Sequence, residues 1–169
     1  MQSVDILYNE HRVIEKALNL LEKINQRLHN DENVDIQKIE GLLDFFINFA
    51  DGCHHLKEEN SLFPVLERKG ISGPTFVMTT EHQEGKKLIL KMKELLPNIK
   101  ENREDFLEAS NEYVELLRQH IWKEDNVLFN MAKNVLSTDE DITITNEFKK
   151  LQCNSKHDYY HNLIEKMEI

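Results

Sequence analysis

Glycine and proline are scarce in this chain, five and three among 169 residues. A many-turned β-structure needs both at its reversals, so their scarcity argues against a sandwich or barrel and favours long helices with few breaks. Cysteine is limited to Cys53 and Cys153, far apart and outside any C-x-x-C spacing. Neither a disulfide framework nor a thiolate zinc site is expected, and both read as ordinary thiols. No apolar run follows Met1 and none reaches the ~18 residues of a membrane span, so no signal for export, transit or insertion is read. Basic residues are outnumbered, 21 against 31, for a formal charge of -10. Nucleic-acid binding runs on clustered Lys and Arg, so this balance argues against it and suits a cytoplasmic protein. The length fits one domain with a sizeable core, and residues 1–169 read as one all-α unit.

The punctuation that remains divides the chain. Ser3 can cap a first helix running to about Asn30, with Leu7, His11, Ile14, Leu18 and Leu21 at helical spacing on one face. An acidic turn from Asp31 to Asp35 leads into a second helix, which Gly70 ends near Lys69 and which Pro64 is expected to kink. Ile71-Ser72-Gly73-Pro74 opens a third helix that Pro97 stops, and a fourth runs from about Arg103 to Val135. Ser137 and Glu140 make a capping-box pattern for a last helical segment reaching the C-terminus. Short links between long helices imply antiparallel neighbours. Residues of about 3–136 should therefore form an up-down-up-down four-helix bundle, with a C-terminal helical addition over about 138–169.

What the chain has in excess is histidine beside acid. The segments His54 to Phe63 and His120 to Phe129 are near copies sharing H-x-x-K-E-[ED]-N-x-L-F. A histidine and a glutamate four residues apart lie on one helix face, a turn apart, where both can reach one metal. Glu10-His11 precedes the first copy as Glu81-His82 precedes the second, so each half reads E-H and then H-x-x-x-E. This is a repeated helical hairpin with a pseudo-twofold axis. At ~1.5 Å of rise per residue, His11 and His54 lie about 30 Å from the turn joining their helices, and His82 and His120 stand likewise to theirs. All four fall in one layer. The spacing alone is weak, since His11, His55 and His161 also have an acid four residues on. His161 with Glu165 lies in the terminal segment, and His55 with Glu59 is rotated about 100° from His54 and Glu58, so both are expected to be surface pairs.

Burying four imidazoles and two carboxylates in one layer carries a desolvation cost that a pair of cations offsets far better than mutual ion pairing. Such ligands suit six-coordinate first-row ions, iron first and manganese second; zinc, which prefers four tetrahedral ligands and often thiolates, comes third. If Glu58 and Glu124 each bridge and each metal takes two histidines, every metal has four protein ligands. Room is then left for an oxo or hydroxo bridge and for an exogenous small molecule.

The constellation resembles the hemerythrin-like family, the HHE cation-binding bundles. It is carried by Glu10-His11, the run Cys53 to Glu59 with Leu62-Phe63-Pro64, Gly73-Pro74, Val77-Met78, Glu81-His82, and His120 with Glu124 before Leu128-Phe129. The closing Lys156-His157-Asp158-Tyr159-Tyr160-His161 is similar to the tail of bacterial members. The resemblance covers residues 1 to about 136. It implies a bundle of hemerythrin type with a non-haem di-iron centre for dioxygen or related molecules. His11, His54, His82 and His120 would be terminal ligands, and Glu58 and Glu124 bridges. Two positions depart from the oxygen carriers. Their fifth histidine, one turn after that of the third helix, is here Lys86; Glu15, His161 or solvent are the replacements, while His55 faces away in a regular helix. Their bridging aspartate, five residues after the last histidine, has its spacing in Asp125, but Glu124 matches Glu58 in the repeat and is the bridge expected.

The function implied is binding, sensing or storage of dioxygen, with Phe45, Phe46, Ile47, Leu116, Trp122 and Phe129 available as an apolar wall. The alternatives are an enzyme of oxidative or nitrosative stress, acting on peroxide or nitric oxide or donating iron, and a passive divalent-metal binder. Repair proteins of the family carry an extra cysteine-rich N-terminal domain, whereas this chain begins on its first helix, which places that role behind. The H-x-x-x-E order also differs from the E-x-x-H of ferritin-like oxidases. The partner expected is a small molecule, with neither nucleic acid nor membrane.

Overall fold

The spacing of Leu7, Ile14, Leu18 and Leu21 is realised as α1 (Gln2–His29), with all four buried along one side. The computed structural model describes residues 1–169. After α1 comes a second rod composed of α2 (Ile36–Phe45), two wide π-helical stretches at Phe46–His55 and Glu58–Leu62, and α3 (Phe63–Arg68). The third rod is α4 (Ser72–Leu95), closed by a 3-10 turn at Leu96–Asn98. The fourth joins α5 (Arg103–Lys123), a π-helical turn at Glu124–Leu128 and α6 (Phe129–Val135). The rods run up, down, up and down, as the sequence predicts, and no strand is present. Gly70, at φ 89°, ends the second rod in the left-handed region that a side chain disfavours.

Two boundaries differ from expectation. Ser3 does not cap α1; Met1 stands at the cap position and Ser3 is buried. The cap comes from the far end of the chain, where Asp141 accepts from the backbone N–H groups of Gln2 and Ser3 at 3.0 Å each, and also from the Ser3 hydroxyl. A carboxylate at a helix N-terminus satisfies free donors and meets the positive end of the dipole. The C-terminal addition is also two helices rather than one segment: α7 (Thr138–Lys150), opened by the Ser137/Glu140 capping box, a 3-10 turn at Gln152–Lys156, and α8 (His157–Lys166). Both helices pack on α1.

The apolar core is cut in two. One cluster runs from Val13 to Leu28 and takes in Phe45, Phe46, Ile89, Phe106 and Leu117; the other gathers Val4, Leu7, Leu62, Phe63, Met78, Leu128 and Phe129. Between them lies the buried polar layer of Glu10, His11, His54, Glu58, His82, His120 and Glu124. No helix is long and apolar enough to cross a membrane.

Cys53 and Cys153 form a disulfide with Cα atoms 5.6 Å apart, which corrects the reading of both as ordinary thiols. Their sequence separation of 100 gave no sign of it, because packing of the 3-10 turn against the wide helix is what brings them together. Disulfides persist in oxidising compartments, and those of reducing cytosol are mostly transient or redox-responsive. A bond closing so long a loop restricts the unfolded chain, so Cys153→Ser is expected to lower unfolding stability by about 2–4 kcal/mol. Urea denaturation with and without reductant checks this, and equal midpoints would show that the thiols stay unpaired in solution.

Candidate metal centre

Wide helical turns build the site. In a π-helix each N–H reaches back five residues, so neighbouring side chains lie less than 100° apart and more of them can share one face. At Phe46–His55 this brings both His54 and His55 inward, buried to 1% and 5% exposure. Gly52 permits the turn, since a Cβ there would lie 2.9 Å from the Ile47 carbonyl oxygen. The expectation that His55 faces away is therefore corrected: it assumed a regular helix, and the helix is not regular. The ring of His55 stacks on that of His82 with centroids 3.7 Å apart.

All six residues singled out from the sequence converge in the layer, and His55 joins them. Two groups form, His55, Glu58, His82 and His120 in one and His11, His54, Glu58 and Glu124 in the other; within each, one ligand atom per residue lies within 4.8 Å of the rest. Glu58 turns Oε1 toward His54 and Oε2 toward His82, at 3.3 Å each. Glu124 likewise turns Oε1 toward His120 at 3.3 Å and Oε2 toward His11 at 3.1 Å. Each carboxylate thus offers one oxygen to each side of the centre.

These approaches are close but misdirected for hydrogen bonding. Nε2 of His11, Nε2 of His54 and both oxygens of Glu58 and of Glu124 have no hydrogen-bond partner and no access to solvent. A buried polar atom left without a partner costs about 1–3 kcal/mol, so a cluster paired for its own sake would align them. Apart from Nε2 of His82 and of His120, which lie 3.1 Å from each other, these atoms converge on shared points instead of on one another, which fits cations. The set contains nitrogen and carboxylate oxygen and no thiolate, as first-row ions such as iron or manganese accept.

The opposite ring nitrogens are held from outside. Nδ1 of His54 donates to Glu10 at 2.7 Å, of His120 to Glu81 at 3.0 Å, of His11 to Asp125 at 2.6 Å and of His82 to Glu59 at 2.8 Å. Carboxylates only accept, so each holds a proton on Nδ1 and turns Nε2 toward the centre. Cations brace three of these acids: Lys57 pairs with Glu10, Lys123 with Glu81 and Arg12 with Asp125. This accounts for the rest of the repeated motif. The glutamate of each E-H holds the histidine of the next helix in its own half, and the lysine of H-x-x-K braces that glutamate. The acid after each central glutamate holds the E-H histidine of the other half. Sequence reasoning left Glu10, Glu81, Lys57 and Lys123 without a role, paired Glu59 with His55 at the surface and weighed Asp125 as a bridge, whereas the structure sets Glu59 on His82 and Asp125 on His11.

Burial disfavours charge throughout the layer, yet the pairing outweighs it. Glu58 and Glu10 push His54 up to about 10 against the desolvation of its ring, and Glu124 with Glu81 does the same for His120. Burial likewise works against ionisation of Glu58, but His54 and His82 hold it well below the ordinary carboxylate range. His55 goes the other way: burial and the positive His82 pull it down to about 3.

Other candidates lie elsewhere. Glu15 is half-buried and pairs with Arg12 at 3.2 Å, His161 lines a cavity of about 360 Å³ beside Glu10, and Lys86 reaches Asp51 at 3.6 Å. None joins either group. Asp125, which has the spacing of the carriers' bridge, orients His11 instead. Trp122 is 61% exposed and forms no wall, whereas Phe129 stacks on His11 at 5.4 Å.

The hemerythrin HHE cation binding domain family matches residues 2–132. The chain belongs to the hemerythrin family. Among relatives of this hemerythrin-like chain, an uncharacterized protein of Mycobacterium tuberculosis is 26% identical over 139 residues, 79% of this chain and 54% of that protein. The iron-sulfur cluster repair protein YtfE of Salmonella newport is 33% identical over 88 residues, 47% of this chain and 40% of YtfE. The chain spans about half the length of the curated relatives it matches. No solved structure matches it.

Proposed function

We propose that the two groups hold a pair of iron ions and that the centre binds dioxygen or a molecule of similar size. The observation that carries this is the pose of Glu58 and Glu124, each with one unpartnered oxygen toward each set of histidines. His55, His82 and His120 would hold one ion, His11 and His54 the other, with both glutamates shared. An iron pair supplies two electrons that can pass to a bound small molecule. The protein's part is to fix the tautomers through Glu10, Glu81, Asp125 and Glu59, to keep water out, and to place the two halves so that they share their carboxylates. With three histidines in one group and two in the other, the ion held by His11 and His54 would have fewer protein ligands.

Chemistry on nitric oxide, or iron supply to damaged clusters, is the second reading, favoured by the likeness to YtfE over part of the chain. One experiment separates the two. Anaerobic loading with iron(II) is expected to give two ions per chain, one for each group, and a visible band on admitting oxygen that fades when oxygen is removed. A band that bleaches irreversibly would favour the second reading, and failure to retain iron would overturn both.

A further inference from the structure

The two halves of the centre are covered unequally. Glu10 and Lys57 stand in one half where Glu81 and Lys123 stand in the other, yet the first pair is 3% and 2% exposed and the second 14% and 36%. The C-terminal addition roofs the first pair. It packs on α1 and the second rod, and its Asn154, His157 and His161 line the cavity of about 360 Å³ that Glu10 and Lys57 also line. His157 brings Nε2 within 3.4 Å of Glu10.

This roof is anchored on both sides of a loosely held middle. α7 buries Ile144 and Phe148 and α8 buries Tyr160 and Ile164, whereas none of the five residues of the turn between them, Gln152–Lys156, is buried. Asn154 and Ser155 hydrogen-bond to Phe148 and Gln152, within the addition itself. The bond between Cys53 and Cys153 ties the turn to the second rod. Its two sulfurs differ in access: Cys53 is buried in the wide helix beside His54, while Cys153 is half-buried among exposed neighbours. In thiol–disulfide exchange a thiolate attacks one sulfur and the other leaves, so access selects Cys153 for attack and Cys53 as leaving group. The second copy of the motif has Gln119 where the first has Cys53, so only the roofed half carries the bond.

We propose that Cys53–Cys153 is a redox latch: a dithiol opens it at the Cys153 sulfur, the turn lifts, and the Glu10–Lys57 pair that holds His54 is opened to solvent. A thiolate of the dithiol bonds to Sγ of Cys153 as the S–S bond breaks, and Cys53 leaves as a thiolate that takes up a proton. The second thiolate of the dithiol then displaces Cys153, which takes up another. The protein disulfide gains two electrons and two protons, and the dithiol that supplied them departs as its own disulfide. The flanking helices keep their buried anchors, so the opening stays local. Water at Glu10 raises the local dielectric and weakens its charge-assisted hold on Nδ1 of His54, so the ion beside His54 is held less tightly. That last consequence rests on the metal-centre reading; the latch does not.

Dithiothreitol is the probe, applied first to metal-free protein without denaturant. Alkylation and mass spectrometry are expected to find both cysteines blocked before reduction and both labelled after it. Hydrogen exchange should then quicken at residues 151–157 while the interiors of α7 and α8 keep their protection. Cys153→Ser should show the same exchange pattern with no reductant, and if it fails to fold the reduced wild-type chain carries the test. Cysteines free from the outset, a bond that resists reduction until the chain is unfolded, or exchange that quickens across the whole bundle would each overturn the latch. On iron(II)-loaded protein freed of reductant, chelator competition should show one of the two ions held about 10–100-fold more weakly than in the oxidised chain. Equal affinities would remove the control over the centre. A chain whose turn is released on reduction but which retains no iron in either state would leave the latch standing and sink the metal reading alone.

Discussion

Replacing Glu58 by alanine will reduce bound iron from one ion in each group to at most one per chain, because Glu58 is the residue both groups contain. The loss exceeds that of a ligand to one ion, since each of its oxygens faces a different histidine, His54 and His82. The same substitution leaves two buried imidazoles without their counter-charge. Breaking a buried ion pair on one side costs about 3–5 kcal/mol unless the remaining group gives up its proton. Glu58→Gln separates the effects, since it keeps the volume and removes the charge. Asp125→Asn is the informative contrast. It loosens the Nδ1 contact of His11 without removing a donor from either group, so both ions should bind, about 10–100-fold more weakly. Metal analysis after desalting reads the first result and competition with a chelator the second. If Asp125→Asn loses an ion while Glu124→Gln keeps both, Asp125 is the bridge and the assignment is reversed.

Metal affinity will rise steeply with pH while the stability of the metal-free protein falls. The signs follow from the buried pairs. His54 and His120 are pushed up to about 10, so the stability their pairing gives is complete below the unfolded value of about 6.5 and is lost as pH rises toward 10. Glu58 and Glu124 are held below the ordinary range, so their contribution is present above about 4.3 and is lost on acidification. The metal-free fold is therefore firmest in mildly acidic solution. Iron needs neutral imidazoles, so binding at pH 7 must expel the protons of His54 and His120. Two protons released correspond to about 100-fold in affinity per pH unit. Proton release into weak buffer on adding iron(II) measures this directly. Release of none at pH 7 would show that these imidazoles are already neutral.

Much of this was legible in the chain. The E-H and H-x-x-x-E pairs named six central residues, because a helix face is fixed by spacing and the two copies repeat it. Scarce glycine and proline gave the rods, and Pro97 and the Ser137/Glu140 box gave boundaries that the structure keeps. The repeat places Glu124 where Glu58 stands, and the structure sets its oxygens 3.3 Å from His120 and 3.1 Å from His11. At His55 the reading failed through one assumption, that a helix is regular. His55 was turned outward by an angle that holds only for ordinary turns, and its counterpart in the second copy, Ile121, gave no hint of a ligand there.

The sequence by itself determined the local terms: helix lengths, the inward faces, and the pairing of histidine with glutamate a turn apart. Tertiary structure decided whatever depends on residues distant along the chain. It joined Cys53 to Cys153, carried Asp141 to the start of α1, and set Asp125 on His11, Glu59 on His82 and His157 beside Glu10. Spacing constrains only neighbours on one helix, whereas these contacts follow from how the helices pack and from the wide turns that shift their register. The asymmetry of the centre arises there too, from a π-helical turn that admits one more imidazole to one side of a doubled site.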